Sequence, residues 1–147
     1  MSLRTKQAGV VWVLSLALTN GCSSGPDLAR VWGEVTFDGE RVEDGTIEFT
    51  PIDGTGGGLV GSAITAGAYE VPRHHGARVG GAYKVAIVSV KETGRKILDM
   101  TGPKGETLFE FTNFIPARYS TATELKVTIS ADEEQNHFDF RLRKGAG

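Results

Sequence analysis

Few side chains in this sequence combine the type and spacing that chemistry needs. His74 and His75 are adjacent, and with His137 they offer three imidazoles, enough for a transition-metal site. Neighbouring residues of an extended chain point to opposite sides, and no Cys, Asp or Glu stands beside the pair at ligand spacing. They read as a solvated loop after Pro72. Asp-Gly pairs at 38–39, 44–45 and 53–54 supply carboxylates, but without the ladder or closing Glu of a calcium loop, and turn chemistry accounts for all three. The glycine-rich run from Gly54 to Gly58 has no Lys-Ser/Thr to hold phosphate and no helix to follow it. A Gly-x-Ser-x-Gly elbow is absent as well. These patterns predict no metal, no cofactor and no catalytic residue. What remains is Cys22, the only cysteine, which can form no intramolecular disulfide and directly follows Gly21.

The elements before Cys22 explain its position. Arg4 and Lys6 make a basic start, and Ala8 to Leu18 is an uncharged run with Ser15 as its one polar side chain. That run is about half of the roughly 20 residues that a spanning helix needs, so it reads as a secretory signal. Thr19-Asn20-Gly21-Cys22 resembles the end of bacterial lipoprotein precursors, although Thr19 stands where Leu is usual and Leu18 lies one position too early. The resemblance implies a diglyceride thioether on Cys22 and cleavage just before it. Two or three acyl chains hold a protein stably at a membrane, where one at ~0.8 kcal/mol per buried methylene is marginal. Residues 1–21 are thus expected to be a signal peptide and 22–29 a small, polar, Pro-containing spacer. The product is expected to be exported and lipid-anchored at the cell membrane or outer membrane, with Ser23 implying no inner-membrane retention.

The 126 residues from Cys22 onward suffice for one domain with a core. They hold fourteen basic and eighteen acidic residues, a net charge of −4, with no basic run, and this argues against a nucleic-acid partner. From Arg30 the apolar period is two. Val31, Gly33, Val35 and Phe37 share one face of a strand, with Trp32, Glu34 and Thr36 on the other. Asp38-Gly39 predicts a hairpin turn, and Asp44-Gly45 another. Further strands are expected around Ile47 and Phe49, from Leu59 to Ile64, from Ala68 to Val71, and through Tyr83, Val85 and Ile87. Leu125 to Ile129 and Phe138 to Leu142 complete the set, with a polar turn at Asp132–Asn136. Ala86 and Val88 suggest that the central strand is covered on both faces. With no amphipathic helix, the pattern predicts an all-β antiparallel sandwich of about seven strands over residues 30–143. Lys91 to Ala117 is too long for a hairpin turn and reads as an elaborated loop laid over the sandwich, with Phe109, Phe111, Phe114 and Ile115 in part packed down, either as loop or as an edge strand.

The run from Gly33 to Pro51, GEVTFDGERVEDGTIEFTP, resembles the opening of small carboxypeptidase-regulatory-like lipoproteins of planctomycete bacteria. The likeness continues through Gly67–Val71, Gly81–Val85, Thr93–Lys96, Ile115–Tyr119, Glu124–Val127 and Phe138–Phe140. It implies a transthyretin-like (prealbumin-like) sandwich, and it carries no catalytic residue to any position. The one enzyme of that fold, a hydroxyisourate hydrolase, closes on a Tyr-Arg-Gly-Ser tail, whereas this sequence ends Arg143-Lys-Gly-Ala-Gly147. The expectation is a non-catalytic, lipid-anchored module of the cell envelope, with a structural or protein-interaction role and open strand edges that permit dimerisation. Its rival is a ligand-binding accessory of an uptake system, for a carbohydrate or a metal. Exposed aromatics between Phe109 and Phe114 favour the glycan version of that rival, and buried ones oppose it.

Overall fold

The computed structural model describes residues 27–100, 102 and 107–145; the expected signal segment and Cys22 lie outside them. The described chain is all-β. Its strands are β1 (Leu28–Ala29), β2 (Val31–Phe37), β3 (Glu40–Arg41), β4 (Asp44–Pro51), β5 (Val60–Thr65) and β6 (Ala68–Val71). They continue with β7 (Ala77–Arg78), β8 (Ala82–Val88), β9 (Val90–Leu98), β10 (Thr107–Asn113), β11 (Lys126–Thr128) and β12 (Phe140–Leu142). Three short 3-10 turns, at Arg73–His75, Ala117–Tyr119 and Glu133–Asn136, interrupt them.

One curled sheet carries the core. Its strand order is β11-β8-β4-β5-β6-β2-β12, with β3 added to β2, and every pairing is antiparallel except β12 with β2. Alternation selects the inner side chains. Val31 and Val35 of β2, Ile47 and Phe49 of β4, and Tyr83, Val85 and Ile87 of β8 are all buried. Each such side chain contributes ~1.5–3 kcal/mol relative to exposure. Asp38-Gly39 makes the two-residue turn from β2 to β3, and Ala66-Gly67 the turn from β5 to β6. Gly33 is required by close approach. A Cβ there would stand 2.0 Å from the Phe138 carbonyl oxygen, where the chain entering β12 crosses β2.

Four expectations change. Asp44-Gly45 is not a turn but the start of β4, opposite Thr65 and Ile64. Glycine fits there because a Cβ would lie 2.6 Å from the Val88 carbonyl oxygen of the neighbouring strand. The body also begins before residue 30: β1 pairs with β7, Ala29 is fully buried, and the Asp27 carbonyl accepts from the Val79 N–H. On β8, Ala86 and Val88 are half-buried rather than covered.

The largest change is the 91–117 connection. It is an antiparallel pair, β9 with β10, and it forms its own two-stranded sheet. Every residue of β9 is exposed, and β10 has only Glu110 half-buried. Phe109 and Phe111 are 49% and 60% exposed, so they do not pack down. Of the expected anchors only Phe114 and Ile115 reach the core.

Candidate interaction site

β8 runs about 20 Å from Ala82 to Val88, and the two ends of that run carry different things. The chain enters near its start, where Asp27 is bonded to Val79, just ahead of Gly80 and Gly81, which pair with Ile129. The β9–β10 arm leaves at its end, after Ser89. Nine residues of β9 give the arm a length of about 30 Å.

The root of the arm is tightly held. Asn113 accepts through Oδ1 from the Ser89 N–H at 3.2 Å and the Ile115 N–H at 3.1 Å, which ties the outgoing strand to the returning one. The Phe114 N–H donates to the Ser89 carbonyl at 3.1 Å, and the buried Ser89 hydroxyl donates to the Asp44 carbonyl. Phe114 meets Phe37 edge-on at 5.5 Å, with the Lys91 ammonium 4.3 Å from its ring centroid. A cleft of about 570 Å³ opens beside this root between Phe37, Val42, Val90 and Phe114.

Beyond the root the arm is stitched only to itself. Thr93, Gly94 and Arg95 bulge out of β9 opposite Glu110, with Gly94 at φ +77°. The Thr93 hydroxyl donates to the Glu110 carboxylate at 2.9 Å, and Arg95 lies 3.5 Å from the same oxygen. Register places Phe109 beside Lys96 and Phe111 beside Glu92, and the Lys96 ammonium lies 5.3 Å from the Phe109 ring centroid. Val90, Leu98, Phe109 and Phe111 thus share one face, while Ile97 and Leu108 occupy the other. All six are at least 43% exposed. Large apolar side chains exposed together on one element mark an interaction surface more often than a bare one.

The sequence candidates for chemistry do not converge. His74 and His75 lie in the exposed 3-10 turn with ring centroids 4.3 Å apart. His137 is engaged otherwise, stacked on Trp32 at 5.7 Å and 3.2 Å from the Asp139 carboxylate. Among the described residues no three His, Cys, Asp or Glu side chains gather as a metal site. Cys22 lies outside the described residues. Tyr69 and Tyr83 are core residues: the Tyr69 hydroxyl donates to the Phe138 carbonyl at 2.8 Å, and the Tyr83 oxygen accepts from the Arg78 N–H at 2.8 Å. Burial pushes the Tyr69 phenol well above the usual tyrosine range, with the Asp139 charge adding to the effect.

One cluster had only a faint signal in the sequence. Trp32, on the outer face of β2, carries the Arg30 guanidinium 4.3 Å from its ring and His137 stacked beside it. An open cleft of about 630 Å³ adjoins it, floored by Ala63 and Ala68. The charges here are paired with one another, Arg30 with Glu70 at 2.8 Å and Arg41 with Glu34 at 3.1 Å, and the His137 ring lies beside the Asp139 carboxylate. The hydrogen bond from Arg30 holds the Glu70 carboxyl below its ordinary range. This arrangement covers an indole with paired charges, in contrast to the uncovered apolar side chains of the arm. Compared with known proteins, the chain matches no family model, no curated protein and no solved structure.

Proposed function

We propose that this chain is an exported, lipid-anchored, non-catalytic module of the cell envelope, a transthyretin-type β-sandwich that holds a contact arm for a protein partner. The observation that carries the reading is the β9–β10 arm, with exposed large apolar side chains on both faces and a root clamped by Asn113. Two further features support it. The order of basic start, apolar run and Gly21-Cys22 fits a lipid tether, and the chain enters the body at the opposite end of β8 from the arm. A tether on Cys22 would then leave the arm free to reach a partner. The curled sheet and its inner face of alternating apolar residues support the sandwich.

Two measurements on protein in its native membrane test this. The intact mass after detergent extraction should equal residues 22–147 plus a diacylglyceryl-type adduct; an unmodified mass removes the tether. A photo-crosslinking residue at position 111 should give protein adducts, and one at Glu48, on the outer face of β4, should not. Equal labelling from both positions, or none from 111, rejects the arm as the contact element. A second reading, a carbohydrate-binding accessory, is favoured by the exposure of Phe109 and Phe111 on one face. It ranks lower because phenylalanine offers a sugar no polar handle beside its ring. Saturable glycan binding that Phe111→Ala abolishes would promote it.

A further inference from the structure

We propose that β10 is a self-association edge: two copies of this chain join by antiparallel pairing of β10 with β10 about Glu110. The inference rests on reading β9–β10 as the contact arm, and it names the arm's occupant.

The two edges of the arm differ. β9 is blunted by the bulge at Thr93–Arg95 and by Lys91, Arg95 and Lys96, devices that discourage strand addition. β10 runs seven residues without Gly, Pro, Lys or Arg, and its outer edge pairs with no other strand among the described residues. A two-stranded sheet standing alone is marginal in water, whereas three or more strands with an apolar face sustain themselves. A second arm converts two strands into four and supplies what this one lacks.

The sequence of β10 points to a second copy rather than an unrelated strand. In Thr107-Leu-Phe-Glu-Phe-Thr-Asn113 the two phenylalanines flank Glu110 symmetrically, with polar Thr107 and Asn113 at the ends. Antiparallel pairing about that centre sets Phe109 opposite Phe111 of the second copy, and the same contact recurs across the twofold axis, as an isologous interface requires. Positions 109 and 111 share a face, so four phenylalanines meet on one side of the joined sheet. Leu108 falls opposite Thr112. The two Glu110 carboxylates oppose each other at the axis, an unfavourable like-charge pair, but each brings its own Arg95 at 3.5 Å and Thr93 at 2.9 Å. The contact is therefore reversible rather than permanent. The described chain begins at the far end of β8 from the arm, so a tether preceding it would leave the β10 edge clear.

The test uses the full chain in its native membrane under mild oxidation. Paired residues lie about 4.5–5.5 Å apart at Cα, within disulfide reach, so Glu110→Cys should cross-link into a dimer of twice the chain mass. Thr107→Cys, whose two copies would stand about 20 Å apart, should not. Adding Phe109→Ser and Phe111→Ser to the Glu110→Cys chain should abolish the cross-link while leaving the circular dichroism unchanged. In sedimentation of the detergent-extracted protein, Glu110→Gln should tighten the dimer by up to about fivefold, the worth of a cross-strand pair. Equal yields from positions 110 and 107, or a disulfide from 110 to a different protein, overturns self-pairing and leaves the arm as the contact element. No disulfide from either position, with monomers alone in sedimentation, overturns self-pairing, and the contact arm falls with it only if the photo-crosslinking residue at 111 also gives no adduct.

Discussion

Asn113→Ala should loosen the arm at its root and lower the stability of the whole body. The Asn113 Oδ1 accepts two backbone N–H groups, from Ser89 and Ile115. Ser89 is 4% exposed and Ile115 3%, so water has little access to either donor. Leaving a buried donor unpaired costs about 1–3 kcal/mol. Two such donors give about 2–4 kcal/mol once partial relaxation is allowed, a large share of the ~5–15 kcal/mol that holds a domain folded. In urea, with a slope of about 2 kcal/mol/M, the middle of the range for small proteins, the midpoint should fall by about 1–2 M. Hydrogen exchange supplies the local readout, with protection in β9 and β10 falling before that of β4 and β8. Asn113→Asp keeps an acceptor oxygen in place and should lose much less. A midpoint shift no larger for Ala than for Asp would refute the reasoning, because the clamp would then hold nothing that the backbone does not.

The other predictions follow from single contacts. Gly33→Ala puts a Cβ 2.0 Å from the Phe138 carbonyl oxygen, so β12 cannot stay docked on β2; a loss above about 4 kcal/mol is expected, read as failure to accumulate folded protein or as a collapsed melting point. Tyr69→Phe removes the hydroxyl bonded to the Phe138 carbonyl and should cost about 1–2 kcal/mol at neutral pH in a denaturant titration. The phenol's raised folded-state pKa keeps its stabilisation whole below the unfolded value near 10; it is lost as pH rises above that, because the unfolded chain ionises first. Alkaline unfolding should therefore be steeper in the parent than in Tyr69→Phe, and identical alkaline profiles would contradict that. Phe109→Ser with Phe111→Ser should change unfolding free energy by less than about 1 kcal/mol, since both rings are already half or more exposed, while self-association disappears.

The body was legible because period two and turn chemistry act locally. Val31, Val35, Ile47, Phe49, Tyr83, Val85 and Ile87 lie inside as alternation requires, and Asp38-Gly39 turns where a two-residue hairpin loop should. What local pattern could not supply is who the neighbour is. Asp44-Gly45 has the composition of a turn, yet its glycine answers to the Val88 carbonyl of a strand some forty residues on. The parallel docking of β12 on β2 is equally silent in the sequence, because the Phe138-Gly33 contact joins residues more than a hundred positions apart. Trp32 lies on the outer face of β2 as alternation predicts, but nothing local announces that Arg30 and His137 will cover it.

The arm failed for a different reason, and that reason bears on function. Thr107–Asn113 alternates as well as any strand of the body, yet whether loop or edge strand, the segment reads as packed down because its phenylalanines argue for burial. Burial preferences describe the assembled state, in which apolar side chains find cover. Here the cover is missing from a single copy: Phe109 and Phe111 stand in water on an edge that no described strand occupies. A sequence reading that assigns these residues to an interior is therefore wrong for the single chain, and self-pairing, as proposed, would supply the missing cover. Pairing through β10 resolves the conflict with no change to the body, since Asn113 and Ser89 fix the direction in which the arm presents its edge.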